Sequence, residues 1–314
     1  MRIPDEIKNV AVVGAGLMGH GIALEFAANG RKVSLQDQSE NLLVEAMQRV
    51  HVGLLAMAQS ARISGREVDA AIKRIATMTD LSESVGEADL VIEAITEDLD
   101  LKRSLFRKID HAAPQHAVLV SNTSTFLPSA IASATSRPGL VAGTHYYNPP
   151  HLLPGVEIVL GPETSAQTAR LLFDLFTSIG KKPAVVDKEI QGFIGNRLQV
   201  AMLREAMALV REGIVSPGQA DAVVRYSFGR LLSVAGLFEL ADSTGLDMVQ
   251  QAADKLLPTL SNDRQVSSVL LEKIESGNLG VKTGKGFYDW SPSMIESWRK
   301  KMASALLSMA SRDQ

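Results

Sequence analysis

The sequence predicts a doubly wound α/β domain with a mostly parallel sheet, followed by an all-helical C-terminal domain. Up to about residue 188, short Val/Ile/Leu-rich runs alternate with segments of helical length. A glycine-rich turn joins the first of these runs to the first helix. Continuous apolar runs are typical of strands buried on both faces of a parallel sheet. From about Gln191 helical periodicity dominates, so the predicted domains are 1–188 and 189–314.

Seven strands and several helix boundaries follow from this pattern. A helix over Leu17–Asn29 ends at Gly30, the residue type favoured just after a helix. Capping boxes at Thr164–Gln167 and Ser216–Gln219 predict two further helix starts. The predicted strands are Asn9–Val13, Lys32–Gln36, Asp89–Glu93, Ala117–Ser121, Leu140–Thr144, Val156–Leu160 and Pro183–Asp187.

The composition excludes several classes of protein. A net charge of −3 argues against a nucleic-acid binder, which normally carries a basic excess. The absence of cysteine excludes a disulfide framework, a thiolate nucleophile and a cysteine zinc site, and no metal site is expected. The first residues lack the apolar core of a signal peptide, and no apolar run approaches the ~20 residues that span a bilayer. We therefore expect a cytoplasmic protein without a membrane partner.

The segment Gly14-Ala15-Gly16-Leu17-Met18-Gly19 indicates a dinucleotide site. It follows the first predicted strand and opens the first helix, which is the context that a phosphate-binding loop requires. Gly14 allows the tight turn, Gly16 lets the backbone approach a pyrophosphate, and Gly19 lets helix and strand pack closely. Leu17 and Met18 complete the loop. The alternative is a set of ordinary turn glycines. The strand–turn–helix context favours a Rossmann-type domain over that alternative.

Asp37 predicts that the dinucleotide is NAD. It stands at the end of the second strand, where a carboxylate accepts hydrogen bonds from the ribose hydroxyls and repels the 2′-phosphate of NADP. Gln38 and Ser39 follow, and no basic residue occurs before Arg49 to bind that phosphate.

His145 and Glu157 form a candidate catalytic pair. An enzyme that oxidises an alcohol needs a base for the hydroxyl proton, and histidine has an unperturbed pKa of about 6.5. His145 falls at the end of a strand, on the edge where open α/β sheets bind ligands. Glu157 on the next strand is a buried carboxylate, which is costly unless it is paired. The alternative is a core histidine with a structural ion pair, and the two residues alone leave both readings open.

The chain resembles the L-3-hydroxyacyl-CoA dehydrogenase family over nearly its whole length. The resemblance rests on six motifs in the same order and with similar spacing. They are V-G-A-G-L-M-G (13–19), V-I-E-A-I-T-E (91–97), S-N-T-S (121–124), H-Y-Y-N-P (145–149), G-F-I-G-N-R-L (192–198) and K-T-G-K-G-F-Y (282–288).

This resemblance implies an NAD-dependent oxidoreductase and a role for each matched residue. His145 would be the general base and Glu157 its partner. Ser124 would hydrogen-bond the 3-oxygen of the substrate, and Asn196 would face the substrate from the first helix of the second domain. The resemblance also implies a homodimer formed through the C-terminal domain. The residues implied at the NAD site are Glu97, Lys102, Asn148 and Lys282.

The substrate is less determined than the reaction. Family members that use CoA thioesters carry a lysine-rich helix after the second strand, yet no lysine occurs here between Lys32 and Lys73. Gln48 stands near the expected lysine position. The residues that could replace that lysine are Arg49, Arg62 and Arg66. The segments at 148–154 and 211–217 resemble instead the branch that contains λ-crystallin/L-gulonate 3-dehydrogenase, carnitine dehydrogenase and a pyridine-carboxylate dehydrogenase.

Three functions therefore stand as hypotheses. The first is oxidation of an L-3-hydroxyacyl-CoA, as in fatty acid metabolism, and the second is the same chemistry on a small hydroxy acid or alcohol without CoA. A more distant third is an NAD-binding structural protein of the λ-crystallin type. The 3-hydroxyisobutyrate and 6-phosphogluconate type dehydrogenases are disfavoured, because they use a lysine where Asn196 stands. His151 either touches substrate or sits on the turn, and His20 is expected to pack.

Overall fold

The computed structural model describes residues 3–60 and 62–310, which form two compact units. The first extends to Asn196 and resumes at Lys301, and the second is Arg197–Lys300. The predicted boundary at Lys188 lies before this division, and the residues from Lys301 onward, which were predicted to belong to the second domain, are grouped with the first unit.

The first unit is built on one eight-stranded sheet. Its order is β3-β2-β1-β4-β5-β6-β7-β8, and neighbouring strands are parallel except for β6 and β7, which are antiparallel. The predicted fold class is thereby confirmed. The strands are β1 Asn9–Val13, β2 Lys32–Gln36, β3 Ile75–Met78, β4 Leu90–Glu93, β5 Val118–Ser121, β6 Val141–Tyr146, β7 Gly155–Leu160 and β8 Lys182–Val186.

Helices cover both faces of this sheet because alternate residues of each strand point to opposite sides. Val10 and Val12 of β1 join the apolar cluster that contains α1, whereas Ala11 and Val13 join the cluster that contains α5. The helices of this unit are α1 Gly19–Ala28, α2 Glu40–Gln59, α3 Gly65–Lys73, α4 Leu81–Val85, α5 Leu99–Ala112, α6 Pro128–Ala132 and α7 Ala166–Ser178.

The second unit is helical, as the sequence predicts. Ser216 and Gln219 form the predicted capping box at the start of α9. None of the helices in residues 3–60 and 62–310 is long and apolar enough to cross a membrane. The remaining helices are α8 Gly195–Arg211, α9 Pro217–Tyr226, α10 Phe228–Leu231, α11 Leu237–Thr244, α12 Leu246–Leu256, α13 Ser268–Glu275 and α14 Pro292–Ala310.

Two details of the sequence prediction are wrong. Strand β3 was not predicted, because this edge strand is four residues long and exposes Ala76 and Thr77, so it lacks a strong apolar run. Helix α7 is capped by Ser165, whose Oγ accepts a hydrogen bond from the Thr168 N–H, and not by Thr164. The Thr164 hydroxyl instead accepts from the Gly161 N–H and donates to the Val141 carbonyl, which fastens the end of β7 to β6.

A buried ion pair holds the loop between β6 and β7 in place. The Lys181 ammonium lies 2.7 Å from Glu25 of α1 and donates to the carbonyls of Pro150 and Leu153. Both charged side chains are buried, and an unpaired buried charge is costly. The Lys181 ammonium and the Glu25 carboxylate therefore stabilise each other. The ion pair therefore fixes the course of the loop that follows His145.

His151 packs from this loop against α1 and α2. A Cβ built on Gly21 would lie only 3.1 Å from His151 Nδ1, so this glycine provides space for the ring, whereas one built on Gly53 would lie at an ordinary contact distance of 3.5 Å from Nε2. Arg62 donates to the His151 carbonyl at 3.0 Å. Burial, together with the charges of His20, Lys181 and Arg62, lowers the pKa of His151 to about 4. These contacts favour the packing role on the turn over contact with substrate.

We expect His151 to make folding stability depend on pH. The folded protein holds the ring neutral, whereas the unfolded chain takes up a proton below about pH 6.5. The free energy of unfolding therefore keeps its full value with respect to this group above pH 6.5. It decreases as the pH falls toward 4, by up to about 3 kcal/mol. Urea denaturation of wild type and His151→Leu between pH 7 and pH 4.5 measures the difference. The exposed control His51→Leu should keep the wild-type slope, and an unchanged slope in His151→Leu would contradict the prediction.

Candidate active site

The antiparallel register of β6 and β7 brings His145 and Glu157 together. The two residues lie directly opposite each other, and His145 Nδ1 is 2.6 Å from Glu157 Oε2. His145 is 6% exposed and Glu157 is 5% exposed, so the pair lies just below the surface at the end of β6. The sequence-predicted neighbours are therefore in direct contact.

The backbone that leads into α8 holds the other oxygen of Glu157. The Ile194 and Gly195 N–H groups donate to Oε1 at 2.8 and 3.0 Å. Gly192 and Phe193 both have positive φ, 77° and 50°, and this turn aims the two N–H groups at the carboxylate. A non-glycine residue with positive φ is uncommon and costs about 1 kcal/mol or more, so the site tolerates local strain at Phe193. The arrangement uses a helix N-terminus to bind an anion.

The Glu157 carboxyl is held in its ionised form. Burial would raise its pKa, but hydrogen bonds from His145, Gly195, Tyr147 and Ile194 lower it below the ordinary value. An ionised carboxylate only accepts hydrogen bonds, so the ring nitrogen that faces it carries the hydrogen. Nδ1 of His145 is therefore the N–H, and Nε2 is left as the acceptor.

Two aromatic rings contact the imidazole. The Tyr147 ring centroid lies 4.8 Å from that of His145, and the Phe193 centroid lies 5.6 Å away. The Tyr147 hydroxyl donates to Glu157 Oε2 at 2.9 Å. Sequence reasoning assigned no role to Tyr147 or to Gly195. A glycine in the first turn of a helix, where it disfavours the helix, was the one available signal.

Ser124 and Asn196 also meet directly. The Asn196 side-chain amide donates to the Ser124 carbonyl at 3.2 Å. Asn122, from the same S-N-T-S loop, accepts from the Tyr146 N–H at 3.1 Å, which ties that loop to the end of β6. The four residues predicted to be catalytic therefore belong to one hydrogen-bonded region at the C-terminal ends of β5 and β6.

Glu97 and Lys102 form a network beneath this region. The Lys102 ammonium lies 2.6 Å from Glu93 Oε1 and 3.2 Å from Glu97 Oε2, and the lysine is 1% exposed. Lys102 was predicted to line the NAD site, yet its charge is directed at these two carboxylates. Its observed contacts hold Glu97 in place, and sequence reasoning missed Glu93 as the buried counter-ion.

Glu97 connects this network to the S-N-T-S loop. Its Oε1 accepts from the hydroxyls of Thr123 and Thr125 and from the Ser124 N–H. Burial would raise the pKa of Glu97, but the two threonine hydroxyls and the Lys102 ammonium lower it below its ordinary value. Glu97 is therefore an ionised acceptor that fixes the backbone around Ser124.

The glycine-rich loop fits a dinucleotide. Gly14 has φ of 105°, and a Cβ there would lie 2.6 Å from the Ala94 carbonyl oxygen; a Cβ on Gly19 would lie 1.7 Å from the Gly14 carbonyl oxygen. A Cβ on Gly16 would meet nothing within 4 Å. Gly14 and Gly19 are thus required by packing, whereas Gly16 faces open space and leaves the backbone accessible to a phosphate.

Asp37 braces this loop. Its Oδ2 accepts from the Ala15 N–H at 2.9 Å and its Oδ1 accepts from the Ser39 N–H at 3.1 Å. Leu17 is exposed, whereas Met18 packs against the core. The carboxylate therefore lies beside the loop, as a residue that binds ribose must.

The other predicted NAD-site residues have fewer contacts. Gln38 and Asn148 are exposed, the latter at the start of the β6–β7 loop. Lys282 lies in the second unit, in the turn between Gly280 and Lys285. Their roles stay predictions. Within the described ranges, no three His, Asp or Glu residues are grouped to hold a metal ion.

Comparison with known proteins shows which protein family this chain matches. Residues 9–190 match the model of the 3-hydroxyacyl-CoA dehydrogenase NAD binding domain, and residues 192–290 match that of its C-terminal domain. A Mesorhizobium japonicum 5-formyl-3-hydroxy-2-methylpyridine 4-carboxylate 5-dehydrogenase is 31% identical, over 96% of this chain and 97% of its own. A crystal structure of a dehydrogenase for the same acid has a TM-score of 0.91 at 31% identity, covering 96% of this chain and 97% of that one. Human mitochondrial hydroxyacyl-coenzyme A dehydrogenase is 36% identical over 90% of this chain and 91% of its own.

Two alanine substitutions should separate packing from cofactor binding. Gly19→Ala places a methyl group against the Gly14 carbonyl and should destabilise the fold by about 2 kcal/mol or more. Gly16→Ala should leave the melting temperature unchanged but weaken NADH binding about tenfold, since its methyl group enters the space over the loop. Thermal melts and fluorescence titration with NADH measure the two effects. Equal NADH affinity in Gly16→Ala and wild type would exclude this loop as the phosphate site.

Proposed function

We propose that this protein oxidises a small hydroxy acid or alcohol without CoA. The chain belongs to the 3-hydroxyacyl-CoA dehydrogenase family of NAD-dependent oxidoreductases, which act on CH–OH groups. NAD is its cofactor. His145 would be the general base and Glu157 its partner. The observation that carries the proposal is the 2.6 Å contact between His145 Nδ1 and Glu157 Oε2 at the ligand-binding edge of the sheet.

The proposed proton transfer follows from the two ring nitrogens. Nδ1 of His145 is committed to Glu157, so Nε2 is the atom that takes the proton of the substrate hydroxyl. The imidazolium that forms is then stabilised by the carboxylate beside it, as in other histidine–carboxylate pairs. NAD, when bound, would be the hydride acceptor. Glu157 stays ionised throughout, because its four hydrogen bonds lower its pKa.

Ser124 and Asn196 would position the substrate. The Asn196 amide donates one hydrogen bond to the Ser124 carbonyl, which holds its side chain against the S-N-T-S loop. Glu97 fixes the Ser124 backbone from the other side. With the Asn196 side chain and the Ser124 backbone held, the Ser124 hydroxyl and the second N–H of the Asn196 side-chain amide would be available to donate to the substrate oxygen.

The surface of α2 supports a substrate without CoA. Two of the three arginines that could replace the missing lysine are already engaged, because Arg49 pairs with Glu45 at 2.7 Å and Arg62 donates to the His151 carbonyl. The exposed face of this helix carries apolar side chains, including Val44 and Val52. A nucleotide phosphate needs unpaired, well-placed cations, and such a surface offers few of them.

The C-terminal helix supports the same conclusion. Helix α14 lies beyond residue 290, where the match to the family's C-terminal domain ends. The pyridine-carboxylate dehydrogenase of Mesorhizobium japonicum nevertheless aligns with 96% of this chain. The name of this relative specifies a small aromatic acid without CoA, a pyridine carboxylate that carries a formyl group.

An L-3-hydroxyacyl-CoA is the second candidate substrate. The human mitochondrial relative, whose name specifies hydroxyacyl-coenzyme A, has the higher identity of the two relatives at 36%. Arg66, which is exposed near the start of α3, is the third arginine and could contact a phosphate. This candidate keeps the same base and the same NAD site.

One experiment tests the reaction and the substrate together. NADH formation is followed with free hydroxy acids, among them L-3-hydroxybutyrate, L-gulonate, carnitine and pyridine carboxylates that carry a hydroxymethyl group, and with L-3-hydroxybutyryl-CoA. We expect turnover of a free acid or alcohol, a loss of about 10³-fold in kcat/KM for His145→Gln and of about 10²-fold for Glu157→Gln. The exposed control His111→Gln should match wild type.

Each outcome of this experiment selects one reading. Turnover of the thioester alone would replace the small acid by the second candidate. Full turnover in His145→Gln would reject the proposed base for both substrates. NADH binding without turnover of any substrate in the panel would favour a structural protein that binds NAD.

We propose further that the second unit forms a homodimer. In residues 217–275, all of which the structure describes, α9 to α13 bury no side chain. Phe238 of α11 is 88% exposed, and many other large apolar side chains of this unit are exposed. Apolar surface on this scale is typical of a protein–protein interface. A second copy of the chain would cover it.

The dimer should be disrupted by a charge on α11. Wild type should have about twice the 33.7 kDa chain mass in light scattering, and Phe238→Glu should shift the protein toward the monomer because it would bury a carboxylate in the interface. The control Val52→Glu introduces the same charge at an exposed apolar site on α2 and should leave the mass unchanged. A monomeric wild type would contradict the proposal.

A further inference from the structure

Tyr147 contacts both members of the histidine–carboxylate pair. Its hydroxyl donates to Glu157 Oε2 at 2.9 Å, and this is the oxygen that lies 2.6 Å from His145 Nδ1. Its ring centroid lies 4.8 Å from the imidazole centroid, at an interplanar angle of 52°. One side chain therefore fixes the carboxylate through its hydroxyl and the imidazole through its ring.

Gly195 makes room for this hydroxyl. A Cβ at position 195 would lie 1.7 Å from Tyr147 Oη, 2.8 Å from Cζ and 3.2 Å from Cε1. The same glycine donates its N–H to Glu157 Oε1 at 3.0 Å. Gly195 thus donates its backbone N–H to the carboxylate. Because it has no Cβ, it also leaves the space that the Tyr147 hydroxyl occupies.

We propose that Tyr147 is a positioning residue of the reaction, and that its hydroxyl, admitted by Gly195, determines how much of the Glu157 charge reaches His145. The inference rests on the proposed function, in which His145 is the base. It adds a third side chain to the pair and links that side chain to a glycine 48 positions further along the chain.

The physical basis is the division of one carboxylate among four donors. Oε1 accepts from Ile194 and Gly195, and Oε2 accepts from His145 and Tyr147. Charge-assisted hydrogen bonds to a carboxylate are short and strong, so each donor reduces the negative charge available to the others. Burial and the neighbouring Glu157 raise the pKa of Tyr147 well above its ordinary value, and the hydroxyl therefore remains a donor at every working pH.

Removing the hydroxyl should have two consequences. The Glu157 carboxylate would have one hydrogen-bond donor fewer, so more of its negative charge would face the imidazolium of His145. The imidazolium would therefore keep its proton to a higher pH. The Glu157 carboxylate would also lose one of the two donors on Oε2 and would be less well oriented. The titratable groups in direct contact are His145, Tyr147 and Glu157, and Phe193 on the other side of the imidazole carries no charge.

Tyr147→Phe tests the electrostatic part. We expect the acid limb of the kcat/KM profile to move to higher pH by about 0.5 to 1 unit, with KM changed less than about twofold. The pH midpoint of the His145 ring signals in NMR spectra of the free protein should move in the same direction, and this readout needs neither cofactor nor turnover. Assignment comes from the signal lost in His145→Gln.

Tyr146→Phe is the matched control. Tyr146 precedes Tyr147 on the chain, its side chain lies in the apolar core, and its hydroxyl has no hydrogen-bond partner among the described residues. The control should keep the wild-type pH profile. If Tyr147→Phe also keeps both midpoints and only lowers the melting temperature, the tyrosine is structural and the proposal is overturned.

A double-mutant cycle tests the dependence on Gly195. Gly195→Ala should lower the melting temperature by about 5 °C or more and reduce kcat/KM, because its methyl group collides with Tyr147 Oη even though alanine favours a helix. Tyr147→Phe removes the closest atom, so the double variant should recover at least half of the loss in melting temperature. Losses that simply add would show that the two positions are independent.

Failure of this inference is distinguishable from failure of the proposed function. If His145→Gln is inactive while Tyr147→Phe leaves both pH midpoints unchanged, the role of Tyr147 alone is rejected. If His145→Gln keeps full turnover, the catalytic role of the whole group is rejected, although the NMR midpoint and the melting cycle still report whether the contact exists.

Discussion

The site depends on a carboxylate placed inside a strand. Glu157 is buried within β7, and a buried charge is tolerated only where it is paired or fully hydrogen-bonded. Here the antiparallel register of β6 and β7 supplies His145, and the turn through Gly192 and Phe193 supplies two N–H groups. The requirements of this one group thus constrain the strand register, the strained turn and the start of α8 at the same time.

The fold was largely predictable because its strongest signals are local. β1 and β2 begin and end where their Val/Ile/Leu-rich runs predict, and the glycine loop adopts the predicted strand–turn–helix form. β3 escaped prediction because a short, half-exposed edge strand has neither a continuous apolar run nor a clear alternation. The cap of α7 was misassigned by one residue, because both Thr164 and Ser165 have a hydroxyl and only tertiary contact decides which one caps.

The contacts within the candidate site could be predicted only in part. His145 and Glu157 could be paired from sequence because adjacent strands place them within reach. The contact of Tyr147 with Gly195 could not, since nothing within either segment indicates that a hydroxyl from one occupies the missing side chain of the other. Lys102 also has contacts that the sequence did not indicate, because its ammonium is buried against Glu93 and Glu97. Its place at the NAD site stays a prediction.

The charge balance of the first unit supports the proposed role of His145 as the base. The buried Glu25 faces the Lys181 ammonium, so this pair has no net charge, whereas Glu93 shares the Lys102 ammonium with the ionised Glu97. Glu157 is held by the dipoles of two N–H groups, one hydroxyl and one imidazole, none of which carries a permanent charge. A proton arriving on His145 therefore completes an ion pair that the resting site lacks. The same proton on Glu25 would leave the Lys181 ammonium buried without its counter-ion, which is the costly state.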